Sequence, residues 1–188
     1  MQDTTKNKDI RIEEFKALMC KAFNFVPYDI KGAIEQLDKM SFFTVPASTK
    51  FHGAYSGGLF DHSKAVTEQL VNLTERLGLK WDNERSPYIV GMLHDLCKCD
   101  VYKRTLDDYV CFAYNKETIL DGHGEKSVIL AQHIIGKLTL EEIACIRWHM
   151  GAFDDKERWS YYNHAIKLYP NVLYTHTADM IASAILDT

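Results

Sequence analysis

His94 and Asp95 stand side by side within Ile89-Val90-Gly91-Met92-Leu93-His94-Asp95-Leu96-Cys97, a stretch otherwise apolar enough to be buried. An imidazole and a carboxylate cost free energy in an apolar interior unless each finds a hydrogen-bonding or metal partner. Any fold open to this chain must therefore give this segment such partners. Taken alone, the pair fits two readings equally well: a metal site, or a core histidine held by Asp95 or a backbone carbonyl.

The surrounding pattern is helical. Ile12, Phe15, Leu18, Met19, Ala22 and Phe23 recur at helical spacing, and Asp29 to Met40 reads as a second, shorter helix ahead of the breaker at Pro46. Leu59, Val66, Leu70, Leu73 and Leu77 predict one long helix stopping at Gly78. Ser86-Pro87 opens the helix that carries His94-Asp95 near its end, with Ser86 as the expected cap. Between Val101 and Tyr114, two short runs rich in Val, Tyr, Phe and Cys flank Asp107-Asp108, which predicts a β-hairpin. Helices are expected again over Gly124 to Ile135, from a capping box at Thr139 and Glu142 to about His149, over Glu157 to Leu168, and from Pro170-Asn171 onward. The expectation is an all-α fold: a helical bundle with one short β-hairpin insertion. It forms a single domain over 1–188, in which 1–50 is a helical cap and 51–188 the core.

Charge and cysteine usage narrow the function. With 22 Lys and Arg against 26 Asp and Glu, the net charge is -4. That argues against capture of long nucleic acid or of an anionic membrane by a broad basic surface. No apolar run approaches the roughly 20 residues needed to span a bilayer. The five cysteines lack paired zinc-ribbon spacing and read as reduced thiols, which places the chain in the cytoplasm. Oligomeric state is left open, a homo-oligomer included.

Ligand-type side chains recur on separate elements. His62 lies in the long helix, His94-Asp95 follows, His123 lies in Asp-Gly-His-Gly-Glu, His149 closes a helix, and His176 with Asp179 sits in the last one. Imidazoles with two carboxylates suit a divalent ion such as Fe, Mn, Co, Ni or Zn, and a set without thiolates disfavours a structural zinc cage. His176 and Asp179 are three apart and can face one cavity. Lys98 is four residues from His94 and three from Asp95, so it projects toward the same face, where it can neutralise a bound phosphate. Without further support, Lys98 would be a solvated lysine at a helix end.

The order His62, His94-Asp95, His123, His149, Asp179 resembles the HD-domain metal-dependent phosphohydrolases. The nearest likeness is to the HD domain of bacterial 3'-to-5' exoribonuclease-like proteins. It extends to His52-Gly53-Ala54-Tyr55-Ser56-Gly57-Gly58-Leu59 and Thr177-Ala178-Asp179 and spans about Phe51 to Ser183. The resemblance implies that His62, His94, Asp95 and Asp179 hold one divalent metal ion (Fe, Mn, Ni, Co, Zn or Mg). Asp95 would bridge to a second ion completed by His123 and His149. Asp95 and Lys98 would act in catalysis, with Lys98, His52 and His176 toward substrate. Met150 stands where the related branch has a second adjacent histidine, so one ion or two remains open, and the Gly-Tyr-Pro sequence of the cyclic-dinucleotide branch is missing after His149.

The implied activity is hydrolysis of a nucleotide or short-oligonucleotide phosphoester by metal-activated water, on a small phosphorylated substrate. The alternatives are a nucleotide-binding regulatory module without turnover, and a di-iron oxygenase on the same scaffold. His133 and His164 are expected at the helix surface or in packing. Asp61 and Glu125 are expected mainly as surface acids, with support of the site as the lesser reading, and Lys103, Arg104 and Arg158 mainly at the surface, with contact to substrate phosphate as the lesser reading. The aromatic group Trp148, Phe153, Trp159, Tyr161 and Tyr162 is expected mainly in the core, with base stacking as the lesser reading.

Overall fold

A computed structural model describes residues 4–24, 28–105 and 112–186, with side chains from residue 8 onward. Helices α1 (Thr4–Ala22) and α2 (Ile30–Lys39) precede a loop that leads into α3 (Gly58–Leu77) and α4 (Ser86–Leu93). A single turn of helix, α5 (Lys98–Val101), runs into strands β1 (Tyr102–Arg104) and β2 (Phe112–Tyr114). The chain then forms α6 (His123–Ile135), α7 (Leu140–Trp148), two 3-10 turns, α8 (Trp159–Leu168) and α9 (Asn171–Ala184). The architecture is helical with one antiparallel two-stranded sheet, in which Tyr102 pairs with Tyr114 and Arg104 with Phe112. The expected turn at Asp107-Asp108, and Cys111, lie outside the described residues. Among those residues, no helix is long and apolar enough to cross a membrane.

Local signals act where the sequence places them. Asp29 caps α2 by accepting from the Gly32 N–H, and Gly78 ends α3 in the left-handed conformation. Thr139 and Glu142 form the reciprocal capping box that opens α7. The expected cap at Ser86 is corrected. Arg85 occupies the cap position, while the Ser86 hydroxyl donates to Glu142 Oε1 at 3.1 Å. Glu142 is fully buried and also receives Arg85, so its carboxylate needs that donor more than the helix end does.

One apolar cluster runs through the molecule. Phe15 and Met19 of α1, Leu37 of α2, and Phe42 and Phe43 of the following loop share it with Phe60 of α3 and Ile89, Met92 and Leu93 of α4. Phe43 meets Phe15 edge-on, and Phe42 meets Phe60 in the same way. The main helix contacts are α3 with α4 and α9, and α7 with α6 and α9.

Two close approaches set the site. A Cβ on Gly91 would lie 2.5 Å from Thr67 Cα, so α4 lies against α3 as only glycine allows. A Cβ on Gly124 would lie 2.1 Å from the Arg147 carbonyl oxygen, which holds α6 equally tightly to α7. The first contact sets His94 opposite His62, and the second sets His123 opposite His149.

Candidate metal centre

Five separate elements deliver the ligand-type side chains to one place. His62 comes from α3, His94 and Asp95 from the turn just after α4, His123 from the first residue of α6, His149 from the end of α7, and Asp179 from α9. His62, His94 and His149 are fully buried, and Asp95 is nearly so. The α4 helix stops at Leu93, so the His-Asp pair occupies a turn between α4 and α5.

Asp95 is the hub. Its Oδ2 lies 3.7 Å from His62 Nε2 and 3.6 Å from His94 Nε2, while its Oδ1 lies 2.7 Å from His123 Nε2 and 3.4 Å from His149 Nε2. One carboxylate thus turns a different oxygen to each pair of imidazoles. At the first pair, His62 Nε2 is also 3.2 Å from Asp179 Oδ1 and 3.3 Å from His94 Nε2. At the second, the His123 and His149 Nε2 atoms are 3.2 Å apart.

Backbone carbonyls fix two of the rings. His94 Nδ1 donates to the Gly91 carbonyl at 2.8 Å, and His149 Nδ1 donates to that of Ile146 at 2.7 Å. Burial pushes the His94 pKa down to about 3, so the ring is neutral and its Nε2 lone pair faces the cluster. His62, His94 and Asp179 bring three ligand atoms within 4.8 Å of one another, as do His94, Asp95 and His149, and also Asp95, Cys97 and His123. A single N–H can satisfy only one of the converging lone pairs around His62 and His94. A cation can satisfy them together, and these residues fit a metal ion on that ground.

The second half carries its own positive charge. Burial opposes protonation of His123, but Asp95 and then Cys97 outweigh it and raise the pKa to about 10. Lys98 Nζ lies 2.7 Å from Asp95 Oδ2. Burial works against the Asp95 carboxylate too, yet Lys98 and His123 hold its pKa well below the usual range. Asp179 is likewise held low against burial, chiefly by its hydrogen bond with His62. Protonated His123 and Lys98 each pair with one oxygen of Asp95.

No family model matches the chain, and comparisons with curated proteins and with solved structures return no match.

The cluster opens into a cavity of about 910 Å³ lined by Asp95, Lys98, His123, His52, His176 and Asp179 at the polar end. Phe51, Met150, Phe153 and Met180 form its apolar wall, with Phe51 79% and Phe153 70% exposed. The His52 ring centroid lies 4.9 Å from that of His62. Burial, then the neighbouring His62 and Lys98, lowers its pKa. His176 shares the cavity with Asp179, but its Nδ1 donates to the His149 carbonyl at 2.8 Å. It braces the turn that carries His149, a role the sequence did not indicate.

Cys97 is the main residue missed from the sequence. It is buried, and its Sγ lies 3.4 Å from His123 Nδ1, where the other two rings have carbonyls. Its place three residues after His94 was the available signal. Cys20, Cys97, Cys99 and Cys145 are free thiols. The remaining expectations resolve simply. Asp61 is held in a fork by Arg11 at 2.9 and 2.8 Å, Glu125 pairs with Arg147 and Arg158, and Lys103 pairs with Glu117. His133 and His164 are exposed. The aromatic group divides: Trp148 and Tyr162 pack against the core, whereas Phe153, Trp159 and Tyr161 are exposed, and only Phe153 of the five lines the cavity.

Proposed function

We propose that this chain is a metal-dependent phosphohydrolase of the HD-domain type, cleaving a phosphoester of a nucleotide or short oligonucleotide. The observation that carries the reading is the Asp95 carboxylate, whose two oxygens face His62 with His94 and His123 with His149. His62, His94, Asp95 and Asp179 would hold one divalent ion, and Asp95, His123 and His149 a second, from among Fe, Mn, Ni, Co, Zn and Mg. Such ions supply an acidified water and a Lewis acid toward phosphoryl oxygen.

The chain's own residues do the rest. Lys98 lines the cavity with its ammonium 2.7 Å from Asp95, so that ammonium can shift from Asp95 to a phosphate oxygen with little movement. Asp95 keeps the site anionic enough to retain cations, and Asp179 adds a second carboxylate beside His62. His52, at the cavity edge with its pKa lowered, meets the substrate as a neutral hydrogen-bonding ring at neutral pH. The wall of Phe51, Phe153, Met150 and Met180 offers apolar and aromatic surface to a nucleoside.

The test is an assay of protein loaded with Mn or Fe against nucleoside monophosphates, cyclic nucleotides and short RNA. Turnover of at least one, lost on Lys98→Ala with metal content unchanged, is the expected result. Metal-loaded protein that turns over none of them contradicts the proposal.

A further inference from the structure

A second cavity, of about 480 Å³, lies between the start of α1, the end of α2, the following loop and the hairpin. Four basic side chains line it, from two parts of the fold: Lys8 and Lys39 from the helices, Lys103 and Arg104 from β1. In a chain of net charge -4, this is a local reversal of the general field. Lys8 pairs with Asp38 and Lys103 with Glu117, whereas Lys39 and Arg104 have no ion-pair partner among the described residues.

Asp100 is the acidic residue among those lining the cavity, and its charge is already taken. Its carboxylate accepts from the buried ammonium of Lys126 at 2.8 Å, from Thr118 and from Asn115. Three hydroxyl residues, Ser41, Thr44 and Ser56, complete the polar lining. Those of Thr44 and Ser56 donate to backbone carbonyls, which leaves their lone pairs accepting, while the Ser41 side chain is exposed at the rim. Bringing like charges together across a cavity costs free energy that a bound anion offsets.

We infer that this cavity is a binding site for a small phosphorylated anion, separate from the metal centre. Lys39 and Arg104 supply the charge that no described residue pairs with, and Ser41 a hydroxyl donor. The volume suits a ligand from pyrophosphate up to nucleotide size. Tyr102 is a wall of this cavity and of the one that holds Lys98, so an occupant lies one side chain from the candidate active site.

The test is calorimetric titration of inorganic pyrophosphate into the full chain after metal removal, so that the result does not depend on the proposed hydrolysis. Saturable binding is expected in the millimolar range or tighter. It should weaken about tenfold or more in Lys39→Ala/Arg104→Ala, since each charged contact contributes on the order of a tenfold change. It should weaken in high salt and be retained in Lys98→Ala. Both substituted side chains of the double variant are exposed, so folding should be preserved; circular dichroism checks this. The inference is overturned by no saturable binding, by equal affinity in the double variant, or by loss on Lys98→Ala instead. A single-stranded oligonucleotide that binds through Lys39 and Arg104 without competition from pyrophosphate also overturns it.

Discussion

Replacing Asp95 by asparagine keeps the shape of the hub and removes its charge, and the structure fixes what should follow without metal. Two cations lie 2.7 Å from this carboxylate: Lys98 Nζ at Oδ2 and His123 Nε2 at Oδ1. The Lys98 side chain is only 13% exposed. Breaking a buried pair by removing one partner costs about 3–5 kcal/mol, because the other charge is left buried and unpaired. The amide still accepts a hydrogen bond, so about 3 kcal/mol is expected for Asp95→Asn.

The pH dependence follows from Lys98. Burial lowers its pKa, and Asp95 more than reverses this, holding the folded value above the ordinary one. In the wild type that stabilisation is complete below the unfolded lysine pKa and is lost as pH rises through the folded one. In Asp95→Asn the largest influence opposing burial is gone and only the weaker effects of Cys97 and Asp179 remain, so the folded pKa falls and the deficit should shrink as the solution becomes more alkaline. Urea denaturation of metal-free protein reads the deficit as a lower midpoint at unchanged slope. Asp95→Asn/Lys98→Met should recover most of it. A deficit below about 1 kcal/mol, or no recovery in the double variant, refutes the account of Asp95 as the charge that holds Lys98 and His123.

Three further outcomes are expected. His123→Ala should lower metal content by about half while His94→Ala removes most of it, read by elemental analysis; equal losses would contradict two distinguishable halves. Metal uptake at neutral pH should release about one proton, because His123, raised to about 10, must lose its proton to become a ligand; titration in buffers of different ionisation enthalpy measures this. Gly124→Ala should lower the melting temperature and weaken metal binding together, since the added methyl meets the Arg147 carbonyl at 2.1 Å and forces α6 from α7. Normal metal affinity in a destabilised Gly124→Ala would separate that contact from the site.

What could be read in advance was whatever depends on near neighbours in sequence. The Thr139–Glu142 capping box, the stop at Gly78 and the helical spacing of α3 are local, and the helices appear where these signals lie. Ligand-type residues are conspicuous in apolar segments, so His62, His94-Asp95, His149 and Asp179 could be singled out, and the structure brings them together with His123. Features decided by distant partners were not legible. Ser86 leaves the cap for Glu142, 56 residues away, and His176 reaches the His149 carbonyl, 27 residues away. The functions of Gly91 and Gly124 exist only as gaps between packed helices. Likewise, Cys97 enters the site through its contact with His123, 26 residues on, and its place three residues after His94 was the one local sign of it.

The most direct test of the metal centre is anomalous diffraction from crystals grown with excess Mn, collected near the metal edge. The expected result is anomalous density on both sides of the Asp95 carboxylate, one peak among His62, His94 and Asp179 and the other beside His123 and His149. An ordered site at saturating Mn with no peak at Asp95 would contradict the account.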